Sequence, residues 1–144
     1  MAAVAAWLSS ASIVEANPLS DYRWKNRLII ASLPAGWENR DLRMAVGNAL
    51  KAERAEVLDR DLLVIDVSPK KRFLDGAVRP SEEAITEIRK RFSLSPSDDD
   101  KPVFVLVGKD GGAKARQTGE FDLDRFFALI DTMPMRKREM RQNE

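Results

Sequence analysis

The sequence predicts an α/β domain, a three-layer α/β/α sandwich in the order β-α-β-α-β-β-α. Three observations lead there. Short, mostly apolar runs stand at 27–33, 62–67 and 103–107. Segments with apolar residues at helical spacing lie between them. After the third run, a Gly-rich turn leads to a polar fourth strand and a last amphipathic helix. Two helical crossovers make strands one to three mutually parallel, and the hairpin sets the fourth antiparallel at the sheet edge.

The globular part opens with Asp21-Tyr22-Arg23-Trp24-Lys25-Asn26, where Trp24 is expected to plug the core under the entry loop. In the first strand Leu28, Ile29 and Ile30 are consecutive, as suits a strand covered on both faces. Pro34-Ala35-Gly36 ends it. A helix is expected from 39 to 54, capped by Asn39, with Leu42, Val46, Ala49 and Leu50 on one face. Gly47 is its weak point. The second strand is apolar apart from Asp66, and 69–79 reads as basic and irregular. Pro80 and Ser81 start a second helix with Ile85, Ile88 and Phe92 as its stripe.

Ser95-Pro96-Ser97-Asp98-Asp99-Asp100 reads as an exposed loop. Its three adjacent acids lack the spacing of a calcium loop. Lys109-Asp110-Gly111-Gly112 supplies the tight turn into the fourth strand, 113–118. Asp122 caps a last helix whose Leu123, Phe126, Phe127 and Ile130 share a face. The domain is read as 17–133, followed at 134–144 by a basic helix end or tail.

Composition narrows the chemistry. The chain has 144 residues, 44% hydrophobic and 33% charged, with net charge +1. It can build one core, and its balance of charge argues against specific nucleic-acid binding. No apolar run reaches the ~18 residues of a membrane span. There is no Cys and no His. Thiolate nucleophiles, Cys-x-x-Cys redox pairs, Ser–His–Asp triads and the usual zinc ligand sets therefore cannot form from this chain. No metal and no cofactor is expected, and the partner sought is a protein or peptide.

Residues 1–16 are small and apolar, with Glu15 the only charge. Val14-Glu15-Ala16 has small or aliphatic residues at the −3 and −1 positions of a signal-peptidase site. The segment reads as a signal-peptide remnant, pointing to the periplasm or secretion. The alternative is an N-terminal arm on a cytoplasmic protein.

Four short strings carry a resemblance. They are Trp24-Lys25-Asn26-Arg27, Arg60-Asp61-Leu62, Gly108-Lys109-Asp110-Gly111-Gly112 and Met133-Pro134-Met135-Arg136. In this order they resemble a bacterial domain family of unknown function with a thioredoxin/peroxiredoxin-like fold. That family is related to the peroxiredoxin-like domains of sushi-repeat extracellular proteins. The resemblance covers roughly 19–141 and implies a thioredoxin-like sandwich without implying one shared activity. In working relatives the reactive Cys lies between strand one and the first helix, where the helix N-terminus lowers its pKa. Here that region runs Ser32-Leu33-Pro34-Ala35-Gly36-Trp37-Glu38-Asn39. Pro102 matches the relatives' cis-proline, so a cis Lys101–Pro102 bond is expected.

On that reading Ser32, Trp37, Asn39 and Pro102 border a relic groove that holds a ligand or peptide. Trp37 either anchors the ligand or covers the sheet edge. Lys70, Lys71 and Arg72, and separately Arg136, Lys137 and Arg138, read as basic surface facing an acidic partner, or as a solvated face. The function these readings favour is a non-catalytic binding or structural module of the bacterial envelope. The alternatives are a cryptic non-redox enzyme using carboxylates or lysine at the former active-site face, and a cytosolic adaptor with a basic tail. The lack of Cys makes one expectation firm. Peroxide consumption with a dithiol donor, and insulin reduction, will equal buffer alone; turnover by the purified chain in either assay contradicts it.

Overall fold

The structure, a computed structural model, describes residues 17–94 and 100–143. The N-terminal segment 1–16 and the loop residues 95–99 lie outside the described residues, as does the side chain of Trp37. The elements are β1 (Arg27–Ser32), α1 (Arg40–Ala52), α2 (Arg54–Asp59), β2 (Leu62–Asp66), β3 (Ala77–Val78), α3 (Glu82–Arg91), β4 (Val103–Val107), β5 (Ala113–Thr118), α4 (Leu123–Asp131) and α5 (Pro134–Gln142). Five strands form one sheet in the order β3-β2-β1-β4-β5.

The apolar runs became central strands because both of their faces are covered. All six residues of β1 and all five of β4 are buried. Alternate side chains go to opposite faces. Ile29, Ala31, Phe104 and Leu106 meet Val46 and Leu50 of α1 and Leu123, Phe126 and Ile130 of α4. Leu28, Ile30, Val103 and Val105 meet Ile85 and Ile88 of α3. The result is the expected three-layer sandwich. Ser81 and Asp122 cap α3 and α4 through the backbone N–H groups of Ala84 and Arg125.

Several expectations need correction. β1 and β2 are parallel, with Ile29 opposite Val64. The strand at 103–107, however, runs antiparallel to β1, with Leu28 opposite Val107 and Ser32 opposite Val103. The cause lies after α3. Arg91 and Phe92 end that helix beside Val107 and Gly108, at the base of the sheet. The chain enters β4 at the top of the sheet, where Val103 pairs with Ser32. It therefore descends in β4 instead of rising. Parallel pairing is confined to β1, β2 and β3.

The basic 69–79 segment, read as irregular, contains the edge strand β3. The helix expected at 39–54 divides at Glu53 into α1 and α2. Asn39 makes no side-chain cap there. Gly47 has a packing reason, since a Cβ at that position would stand 3.2 Å from the Cβ of Asp75. Trp24 is no core plug, because it is 58% exposed at a φ of 67°. No cis peptide bond occurs among the described residues, so Lys101–Pro102 is trans. The C-terminal stretch is an ordered helix, α5, with Pro134 in its first turn.

Phe126 is 1% exposed and Phe73 is 85% exposed. Phe126→Ala is expected to lower unfolding free energy by about 3–5 kcal/mol. Phe73→Ala will stay within about 0.5 kcal/mol of the parent. Urea denaturation monitored by circular dichroism checks both, and equal effects contradict this description of the core.

Candidate functional site

The sheet has two polar ends, and both are built by side chains that the strands carry out of the apolar core. At the upper end β1 delivers Ser32, which is 1% exposed. Its Oγ accepts a 2.7 Å hydrogen bond from Arg89 Nη1, which also donates to the Val67 carbonyl at 2.9 Å. The Leu33 N–H donates to Ser68 Oγ at 2.9 Å, and that hydroxyl donates to Asp66 Oδ1 at 2.5 Å. Arg79 donates to the Ser68 carbonyl through both Nη atoms at 3.1 Å and lies 3.6 Å from Asp66 Oδ2. Each member is buried or nearly so and holds another. Burial without such partners would cost several kcal/mol per charge.

The predicted relic residues meet this end unequally. Pro102 is buried next to the Ser32–Val103 pair, and its carbonyl accepts from Gly119 N–H at 2.9 Å. Asn39 is half-buried, and its backbone N–H donates to the Gly36 carbonyl at 3.1 Å. Trp37 forms a 3-10 turn with Glu38 and Asn39, its side chain lying outside the described residues. Ser32 and Pro102 are thus brought together, and neither reaches the surface. β4 carries β1 on one side and β5 on the other, so no free strand edge faces an incoming peptide there.

The lower end holds the denser cluster. Arg27 begins β1 and is 1% exposed. Its Nη1 donates to the Arg60 carbonyl at 2.9 Å and to Glu139 Oε2 at 3.0 Å, and its Nη2 donates to Glu139 Oε1 at 3.2 Å. Lys109 Nζ adds bonds of 2.6 Å to Glu139 Oε1 and 2.9 Å to Asp61 Oδ2. Arg60 forks onto Asp131 at 3.2 and 2.8 Å, reaches Glu56 at 2.8 Å and lies 4.3 Å over the Phe127 ring. Arg136 of α5 donates to Asp131 at 3.1 Å and to Asp59 at 2.6 Å.

This arrangement overturns one predicted surface. Arg136 is buried and fully engaged, so it is not part of a basic face, whereas Lys137 and Arg138 beside it are exposed. It also gives the four sequence strings a common place. Arg27, Arg60 with Asp61, Lys109 and Arg136 each come from one string, and all four strings meet here. Their acidic partners Asp59, Asp131 and Glu139 were not singled out from sequence. The available signal was a charge flanking an apolar run at each place. Lys109 in particular stands in a turn and a resemblance string, with no signal there for an ion-pair partner.

Burial pushes the Glu139 carboxyl up, but hydrogen bonds from Arg27 and Lys109 outweigh it and hold the group below its ordinary range. Asp131 is likewise raised by burial and more strongly lowered by Arg60 and Arg136. The cluster holds no uncommitted base or nucleophile, and chemically it acts as a clamp. No group of three or more metal-ligating side chains is present among the described residues. No helix among them is long and apolar enough to cross a membrane.

The domain family described as Domain of unknown function (DUF4174) matches residues 18–139, which span both polar ends. The chain belongs to this family. No curated protein matches the sequence. Among solved structures, the reduced 2-Cys peroxiredoxin of Plasmodium vivax is similar over 83% of this chain and 84% of its own, at 16% identity and a TM-score of 0.59. AhpC of Mycobacterium tuberculosis is similar over 78% of this chain and 75% of its own, at 15% identity and a TM-score of 0.55. The exposed lipoprotein thioredoxin Etrx1 of Streptococcus pneumoniae is similar over 80% of this chain and 90% of its own, at 10% identity and a TM-score of 0.52. The DUF4174 domain described here therefore has a thioredoxin/peroxiredoxin-like fold.

The clamp makes stability depend on pH with a definite sign. Carboxyls lowered in the folded state stabilise it fully above the ordinary carboxyl value of about 4, and that contribution fades as pH falls through the lowered value. Glu139→Ala leaves Arg27 and Lys109 buried without their shared anion, at an expected cost of about 3–5 kcal/mol at pH 7. The parent's advantage over this variant will shrink at about pH 3, below the ordinary carboxyl range. Urea titrations of both proteins at both pH values check the effect; a pH-independent difference contradicts it.

Proposed function

We propose that this DUF4174 domain is a non-catalytic binding module of the bacterial cell envelope. The observation that carries the reading is the state of the strand end that precedes the first helix. Ser32 is buried there with its hydroxyl held by Arg89, and the chain supplies no Cys. A hydroxyl without an adjacent base is a weak nucleophile. Arg89 is a permanent cation and cannot act as that base. The fold is thereby kept while the group that gives its redox chemistry is absent. The N-terminal run ending in Val14-Glu15-Ala16 supports export.

The alternative of a cytosolic adaptor acting through a basic tail loses support from the burial of Arg136, which removes one of the three cations of that surface. A carboxylate- or lysine-based enzyme at the former active-site face loses support from the upper end, where Asp66 is committed to Ser68 and Arg79.

Export is tested by N-terminal sequencing of the protein from its native host. A periplasmic chain starting at Asn17 is expected. An intact Met1 or Ala2 in the cytosolic fraction refutes the envelope reading. The binding role is tested by in-cell cross-linking with mass spectrometry, where a stoichiometric, reproducible partner is expected and its absence counts against the module.

A further inference from the structure

The upper end of the sheet is closed and the lower end is neutralised, but Lys70 and Lys71 in the stretch between Ser68 and Pro80 belong to neither. Residues 69–79 carry Lys70, Lys71, Arg72 and Arg79 against the single acid Asp75, a net +3. The whole chain is +1, so the remaining sequence carries −2. Lys70 and Lys71 are exposed, and no ion pair to another described residue involves either. Phe73 stands between these lysines and the edge strand at 85% exposure, and Val78 on that strand is 44% exposed. A cavity of about 410 Å³ opens beside them, lined by Asp66, Lys71, Phe73, Leu74, Ala77 and Arg79. Arg79 is positioned from beneath by Ser68 and Asp66.

We propose that the 69–79 segment is the docking surface of the module and that its occupant is an extended, acidic segment of a partner protein. This deepens the binding-module reading and rests on it. Three features select that occupant. β3 is the outermost strand of the sheet, so the backbone on its far side is available for a partner strand. An added strand places alternate side chains on one face, where an apolar one can cover Phe73 or enter the cavity. The lysines beside it favour carboxylates and steer them on approach. A lipid surface is the weaker candidate. Two exposed lysines contribute only about 1 kcal/mol each at an anionic membrane, and neither a strand edge nor a cavity is of use there.

The test pans a displayed library of random dodecapeptides against the full chain and against K70E/K71E and F73A. Selected peptides are expected to be rich in Asp and Glu with interspersed apolar residues. They should bind K70E/K71E at least about tenfold more weakly and F73A about fivefold more weakly. Backbone amide shifts on adding the best peptide should cluster at 69–79. All three side chains are exposed, so unchanged circular dichroism and thermal unfolding confirm that the variants fold. Peptides that are not acidic, that ignore K70E/K71E, or that shift amides elsewhere overturn this surface while leaving a binding module intact. Recovery of no peptide overturns it as well. So does Lys70- and Lys71-dependent retention by phosphatidylglycerol vesicles without peptide binding, which assigns the surface to a membrane. A cross-linked partner captured equally by K70E/K71E separates failure here from failure of the broader reading.

Discussion

Arg27 imposes the constraint to which most of the lower half of the molecule answers. A guanidinium is charged at every working pH, and this one is 1% exposed at the first position of the central strand. An unpaired charge at that depth is prohibitive, so the chain must bring an anion to it. The anion comes from Glu139, 112 residues later, on the last helix. The Arg60 carbonyl before β2 supplies another acceptor. Once Glu139 is there, Lys109 from the β4–β5 turn joins it, and Asp61 holds Lys109 from the other side. One buried charge thus ties together the starts of β1 and β2, the end of β4 and the C-terminal helix.

Such a cluster is weak evidence for stability, since a well-packed apolar substitute is often as good. Its geometry points to specificity instead. Each cation has a fixed set of partners from different elements, so a register slip in β1 or β2 would strand several charges at once. α5 has few apolar contacts to hold it. Arg136 is its one fully buried residue, and that residue reaches back to Asp59 and Asp131. For α5, ion pairing does the work that an apolar stripe does for α1, α3 and α4.

This difference explains what could be read from the sequence. Apolar runs and helical stripes located β1, β2, β4, α1, α3 and α4, because burial of those faces leaves a trace, and the Gly-rich turn located the polar β5. The direction of β4 left none. It depends on where α3 ends, beside Val107 and Gly108, and on the end of the sheet at which β4 begins. β3 has only two residues, too few for a pattern. α5 reads from sequence as a basic helix end or tail, without an apolar stripe, because the surface it packs with is charged. The strings with Arg27, Arg60, Lys109 and Arg136 were visible, but their meeting was not, because each cation selects an acid far away in sequence. At the other end Ser32 was expected to border an open groove. Its closure by Arg89 requires α3 to be packed across β1, which no local signal at Ser32 records.

The absence of a thiol from this thioredoxin-like fold has a physical consequence beyond the chemistry it excludes. A reactive thiolate must stay reachable by its substrate and poised beside positive charge. A Ser at the end of β1 has no such requirement, and here it is drawn into the core with Asp66, Ser68, Arg79 and Arg89. The upper end thereby exchanges access for packing. The arginines of the lower cluster suit enclosure, since a planar fork satisfies carboxylates bidentately and is only weakly hydrated. Lys70 and Lys71 are the opposite kind of cation, strongly hydrated point charges on flexible stems. Their charge reaches outward over roughly a Debye length, about 8 Å at physiological ionic strength, instead of being spent inside the fold. The buried arginines, with Lys109, thus hold the fold, while Lys70 and Lys71 stay outside it.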